Sequence, residues 1–279
     1  MADPDPRRGG TRAITSLNNA SVKALRALRM RKVRRQTGLF TAEGASLLLM
    51  ARAAGWSPRS LLFLAGSAER GVAAELAAWA RASGAECLEV SAAVLGKLAA
   101  KDNPQTMLGV FEQRWAPEPD PAHLPASALW LALEGVRDPG NLGTIIRTLD
   151  AVGASGAILV GNTVDPYGHE AVRASMGSIF NVSLLRQTAE SFLAWRARFS
   201  GEVVAAELGA GEDFRARPYS RPVLLLMGSE GSGLTPALAN AASRRVKIPM
   251  AGRLDSLNLA VATALALYQI RGPRLHLCD

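Results

Sequence analysis

From Ala128 onward the apolar positions fall into a repeating sequence of short continuous runs and longer helical periods. Leu129–Leu133, Ala157–Val160, Val182–Leu185, Val203–Ala206 and Val223–Met227 are apolar runs of strand length. Between them stand stretches with apolar residues three or four apart: Leu142 to Val152, His169 to Met176 and Ala189 to Phe199. Such alternation predicts a parallel sheet with helices on both faces, and a ligand site at the carboxyl ends of its strands. After Val223–Met227 comes a glycine-dense turn, Gly228 to Gly233, and a helix opening near Pro236. A second short strand, Arg245–Ile248, reaches Pro249 and Gly252 and enters a long apolar helix at Ser256, Leu257 and Asn258 that continues to Ile270.

The same two periods recur earlier. Leu39–Thr41, Leu61–Ala65, Glu86–Val90 and Met107–Phe111 read as strands, and Gly44–Ala54, Glu69–Ala82 and Ala92–Ala99 as helices. Residues 36–114 therefore form a small α/β domain, whose polar loop Lys101 to Gln105 reads as a surface turn or a substrate contact. Residues 115–127, WAPEPDPAHLPAS, carry four prolines and little core-forming material, so they read as a semi-rigid linker before a second domain at 128–279.

Charge adds a feature that periodicity does not show. Residues 1–35 hold ten basic side chains against two acidic ones, so this arm carries the whole net charge of +8 and leaves the rest neutral. A concentrated positive segment gains free energy by releasing counterions from a polyanion, which points to nucleic acid as the partner. Val22, Leu25 and Leu28 interleave with Lys23, Arg26 and Arg29, a pattern of an anchored helix rather than a loose tail.

Composition closes several other routes. Hydrophobic residues make up 48% of the chain, yet no apolar run reaches the roughly 18 to 20 residues of a membrane span. The opening MADPDPRRGGTR has no apolar segment of the signal-peptide kind, so a cytoplasmic protein is expected. Cys87 and Cys278 are too few and His123, His169 and His276 too scattered for a disulfide framework or a metal site.

Two loops carry candidate chemistry. Gly228–Gly233 matches the glycine spacing of a phosphate loop and Thr235 its hydroxyl position, but Leu234 stands where the lysine is required, so this is not a nucleoside triphosphate site. No G-x-G-x-x-G follows a strand, which weakens a dinucleotide reading. In the other loop, Asn141 stands where a helix should begin, a favoured cap position, and Arg147 sits among Ile145, Ile146 and Leu149. A permanent charge in an apolar setting is costly unless it meets an anion or an acidic partner such as Asp150. A helical wheel does not bring Asn141 and Arg147 onto one face.

Four segments, DPGNLGTIIRTLDAVG, VDPYGHEAVRASMGSIF, LLLMGSEGSGL and IPMAGRLDSLNLAVATALALY, in this order and spacing, resemble the motifs of the SpoU/TrmH family of RNA ribose 2′-O-methyltransferases. The resemblance covers residues 128–271, and the N-terminal part is similar to the substrate-binding domain of the members that act on ribosomal RNA. It implies a deep trefoil knot in the parallel α/β domain, a homodimer, and S-adenosyl-L-methionine as methyl donor. On matching positions, Gly228, Ile248 and Leu257 would hold the donor through backbone groups, with Met227, Gly231, Met250 and Leu259 beside it. Asn141, Arg147, Glu230, Ser256 and Asn258 match the catalytic and RNA-contacting positions. Asn141 and Ser256 would position the ribose, Arg147 would orient a phosphate and stabilise the alkoxide or act as a desolvated base, and Glu230 would anchor Arg147 or its loop. No metal is called for. The competing readings are methylation of transfer RNA, a non-catalytic RNA-binding assembly factor that keeps the fold, and a small-molecule methyltransferase, for which the arm's charge would have no use.

Overall fold

The computed structural model describes residues 11–99 and 105–275. Arg7, Arg8, His276, Cys278 and the loop residues Lys101 to Pro104 lie outside them. The chain divides into two compact units, Met1–Gln113 with Asp165–Phe180, and Arg114–Val164 with Asn181–Asp279.

The first unit contains β1 (Thr11–Ile14), α1 (Ala20–Ala27), α2 (Arg31–Thr37), β2 (Leu39–Glu43), α3 (Ala45–Ala53), β3 (Ser60–Leu64), α4 (Gly71–Ala82), β4 (Glu86–Val90), α5 (Ala92–Leu98) and β5 (Met107–Glu112). Its five-stranded sheet has the order β1-β4-β3-β5-β2, parallel from β1 to β3 and antiparallel from β3 to β2. The basic segment is built into this unit. Asn19 caps α1 by accepting from the Ser21 amide, while Ile14, Val22 and Leu28 are buried beneath the charges.

Asp165–Phe180, within the stretch read from the sequence as the second domain, also packs in the first unit. The Phe180 ring lies 5.1 Å from that of Trp56 and 5.2 Å from that of Phe111, and Tyr167 lies 4.7 Å from Phe40. The indole of Trp56 donates to the Phe180 carbonyl at 2.8 Å. Arg34 Nε and Asp165 Oδ2 form an ion pair at 2.8 Å, with side chains 7% and 4% exposed. Arg34 Nη1 also donates to the carbonyls of Leu28 and Arg29, and Asp165 Oδ1 accepts from the Tyr167 amide, so both charges are satisfied.

In chain order the remaining elements are β6 (Leu129–Glu134), α6 (Pro139–Ala151), β7 (Gly156–Val160), α7 (His169–Ala174), β8 (Leu184–Gln187), α8 (Ala189–Ala197), β9 (Glu202–Ala206), β10 (Glu212–Asp213), β11 (Val223–Met227), α9 (Pro236–Asn240), β12 (Arg244–Lys247) and α10 (Leu259–Arg271). All but α7 belong to the second unit. Its seven strands are parallel throughout, in the order β10-β12-β9-β11-β6-β7-β8. Alternate residues feed opposite faces. Trp130, Ile158, Leu224 and Leu226 meet Phe192 and Trp195 on one face. Burial of Leu131, Leu133 and Leu225 as well explains why these strands read as continuous apolar runs. The proline-rich stretch lies on this unit. Ala116 and Leu124 pack against its core, and Pro119 accepts a 2.8 Å hydrogen bond from Trp195.

Candidate active site

From β6 the sheet grows through β7 and β8 to one side, while β11, β9 and β12 lie on the other. A crevice forms outside the carboxyl ends of parallel strands where the connections change direction in this way. Here it is a cavity of about 330 Å3, lined by Glu207 and Leu208 after β9, Met227 to Leu234 after β11, Ile248 and Met250 after β12, and Asp255 to Leu257, Leu259 and Ala262 at the start of α10. The seven residues expected around the methyl donor, Met227, Gly228, Gly231, Ile248, Met250, Leu257 and Leu259, all line it, as do Glu230 and Ser256.

The β11 turn is a closed lasso. Ser229 and Gly233 exchange both backbone hydrogen bonds, at 3.2 and 3.0 Å, and the Ser229 and Ser232 hydroxyls are 2.8 Å apart. Gly233 has φ of 66°, a left-handed conformation that glycine adopts without strain. Gly228 is required for a different reason. A Cβ there would lie 2.0 Å from the Gly233 carbonyl carbon and 2.2 Å from the Leu234 nitrogen, so only glycine lets the loop close. Beyond the lasso, Thr235 donates its amide and hydroxyl to the Glu134 carboxylate at 2.7 and 2.8 Å, tying the turn to the end of β6.

At the end of β6 the structure corrects two sequence expectations. The cap of α6 is Asp138, whose Oδ1 accepts from the Asn141 amide at 2.6 Å with Pro139 at the first helical position. Asn141 therefore stands inside the first turn, where its side chain is free to reach outward. Arg147 is exposed rather than set in an apolar environment, because Ile145, Ile146 and Leu149 turn to the core and Arg147 faces the other way. Asp150 accepts from Asn181 at 3.1 Å, and Arg147 forms no ion pair among the described residues.

Three of the five expected catalytic residues are joined directly. Asn141 Nδ2 donates to Glu230 Oε1 at 2.9 Å, and Asn258 Nδ2 donates to Asn141 Oδ1 at 2.9 Å. Asn258 also caps α10, its Oδ1 accepting from Ala260 and Val261. Glu230 thus holds Asn141, not Arg147. Ser256 lies on the cavity wall, outside this chain of hydrogen bonds.

The sequence reading missed Asp138, Glu207 and Asp255. The rule that sites lie at strand carboxyl ends would have marked Glu207, which directly follows β9. The acidic residues matter because, among the described residues, the cavity is lined by Glu207, Glu230 and Asp255 and by no basic side chain. Glu207 is partly neutralised by Arg245 at 3.5 Å.

The SpoU rRNA Methylase family profile matches residues 128–268, and the MRM3-like substrate binding domain matches residues 19–109. An AdoMet-bound rRNA methyltransferase from Sinorhizobium meliloti superposes with a TM-score of 0.88 at 43% identity, covering 95% of this chain and 99% of that one. An uncharacterized tRNA/rRNA methyltransferase of Synechocystis is 34% identical over 93% of both chains. The 23S rRNA (guanosine(2553)-2′-O)-methyltransferase RlmP of Bacillus subtilis is 28% identical over 93% of this chain and 99% of its own length. With likeness of this extent across both units, and with the family profile spanning the site just described, the chain belongs to the SpoU rRNA methylase family.

Proposed function

We propose that this protein transfers a methyl group from S-adenosylmethionine to a ribose 2′-hydroxyl in ribosomal RNA. The observation that carries the reading is the donor-sized cavity whose wall, at Glu230, continues into the hydrogen-bonded chain through Asn141 to Asn258. The residues fit the donor. Met227, Ile248, Met250 and Leu257 supply apolar walls for an adenine, and the acidic lining suits a molecule with a net positive charge. Ribosomal RNA as substrate is supported by RlmP, which spans nearly the whole chain and is named for that activity.

When bound, the donor supplies an electrophilic methyl carbon. The protein's part is to fix the 2′-oxygen in line with it and to stabilise developing negative charge on that oxygen. Asn141 and Ser256 position the ribose, and the link from Asn258 keeps the Asn141 amide from swinging. Arg147 acts through charge, since a guanidinium does not readily release its proton. The first unit holds the RNA: Lys23, Arg26, Lys32 and Arg35 are exposed on α1 and α2, on the part matching the substrate-binding domain. The functional divisions are the basic arm at 1–35 and residues 36–114 for substrate, 115–127 as connector, and 128–279 for catalysis apart from Asp165–Phe180, which packs in the first unit, with the knot formed in the last.

The active form is a homodimer located in the cytoplasm. Support comes from α10, where Val261, Leu265 and Tyr268 are 49%, 41% and 50% exposed at helical spacing, an apolar stripe suited to a second copy. Among the described residues no helix is long and apolar enough to cross a membrane.

The test is calorimetry with S-adenosylmethionine followed by mapping of 2′-O-methyl groups in ribosomal RNA incubated with the protein and donor. Binding together with one new modified ribose is expected; failure to bind the donor would overturn the proposal.

A further inference from the structure

A second cavity, of about 480 Å3, adjoins the donor cavity and is lined by Arg137, Asp138, Ser229, Glu230, Gly231 and Ser232. The two share Ser229 to Ser232 as a common wall. Methyl transfer requires the reacting oxygen and the methyl carbon to meet, so this shared wall is where an acceptor would stand opposite a donor. The charged groups of the second cavity have unequal freedom. Glu230 accepts from the Asn141 side chain and Asp138 from the Asn141 amide, so both carboxylates are engaged within the protein. Arg137, the one cation in the lining, is exposed and forms no ion pair or hydrogen bond among the described residues.

We propose that this second cavity receives the target nucleotide and that Arg137 binds a phosphate next to the ribose to be methylated, as a positioning residue. The inference rests on the RNA-methylating function proposed above. A nucleotide brings one negative charge on its phosphate and hydroxyl donors on its ribose. In this cavity the phosphate can take the planar fork of Arg137, while the ribose hydroxyls point to the oxygen-rich wall of Ser229, Glu230 and Ser232. Arg137 directly precedes Asp138, the cap of α6, so its backbone is fixed by the same turn that orients Asn141.

The experiment compares wild type, Arg137→Ala and Arg137→Lys in the full chain, with ribosomal RNA as substrate. Arg137→Ala is expected to raise KM for RNA about tenfold with kcat changed by less than about threefold, the loss of one charged hydrogen-bonding partner. The slope of log RNA affinity against log salt should fall by about one. Arg137→Lys keeps the charge and should restore the slope, though not all of the affinity. An unchanged salt slope in Arg137→Ala would overturn the assignment. So would a loss confined to one base identity at the target, because it marks Arg137 as a reader of base edges. RNA affinity is measured without turnover, so the inference is decided even if no methylation is found. Donor affinity, measured in parallel, reports on the underlying function separately.

Discussion

Asn258 and Asn141, 117 positions apart in the chain, are joined side chain to side chain at 2.9 Å. The hydrogen bonds around them allow one orientation of each amide. An ionised carboxylate only accepts, so Asn141 must give its NH2 to Glu230 and its oxygen to Asn258. Asn258 must then donate to Asn141, leaving its own oxygen for the first amides of α10. The start of the last helix thereby sets the orientation of a side chain on α6.

Replacing Asn258 by aspartate separates its two duties. Aspartate caps a helix as well as asparagine does but cannot donate to Asn141 Oδ1. Asn258→Asp should therefore melt within a degree or two of wild type while its methylation rate falls about a hundredfold, whereas Asn258→Ala should lose the rate and about 1 kcal/mol of stability as well. Thermal melts and single-turnover methylation measured together decide it. A fully active Asn258→Asp variant would remove the amide link from the mechanism.

Gly228→Ala places a methyl group where the loop backbone already lies. Donor affinity is expected to drop at least tenfold, about 1.4 kcal/mol, because the turn must open to relieve the clash. Calorimetry with the donor checks this, and Gly231→Ala is the comparison, since a Cβ there meets nothing within 4 Å.

Arg34 and Asp165 are both buried, so Arg34→Ala strips the Asp165 carboxylate of the cation paired with it at 2.8 Å. Arg34→Ala should destabilise the protein by about 3–5 kcal/mol, and the double variant Arg34→Met with Asp165→Leu by much less. Denaturant titration of the set gives the coupling.

His169 supplies a pH dependence. Burial is the main cause that holds its imidazole below its ordinary value; Glu43 pulls the other way, and Arg173 and Arg29 press it further down. Among the described residues Nε2 has no hydrogen-bond partner, and because the imidazole is held neutral at pH 7 its 3.9 Å approach to Glu43 is not an ion pair there. As pH falls below 6.5, the unfolded chain takes up this proton before the folded one does. Stability present above that value should decline on acidification, and His169→Gln should flatten the decline. Melting temperatures between pH 7.5 and 5 test it.

The proposed dimer through the α10 stripe predicts that the wild type scatters light as a dimer and that Leu265→Glu, which puts a charge in the middle of the stripe, scatters as a monomer; a monomeric wild type would remove the stripe from the proposal.

Much of the second unit was legible because its strands are buried on both faces and announce themselves as apolar runs. Val223–Met227 matches to the residue, as does Glu86–Val90 in the first unit, and β8 lies two residues later than its apolar run predicted. The missed strands are the polar ones. β1 (TRAI) and β10 (ED) have too little hydrophobic pattern, and exist through pairing with β4 and β12 far along the chain. At the site, residue types at strand ends were readable, but which partner each would meet was not. Asn141 passed for a cap because asparagine is a favoured cap type, while the helix in fact starts three positions earlier at Asp138, which accepts from the Asn141 amide; Arg147 passed for buried because its neighbours in sequence are not its neighbours on the helix. The basic arm is the other case. Deleting residues 1–35 would take away β1 and the buried Ile14, Val22 and Leu28, so its role in RNA binding is better tested by charge-neutralising substitutions at Lys23, Arg26 and Lys32.

The packing of Asp165–Phe180 in the first unit has a bearing on how this protein could be taken apart or rebuilt. A gene fragment ending near residue 114 would encode all five strands of that unit's sheet yet omit Tyr167, Phe180 and the carboxylate that neutralises Arg34. As a cassette for transplanting RNA specificity between relatives, the first unit is therefore two pieces of sequence, and a chimera has to exchange both together.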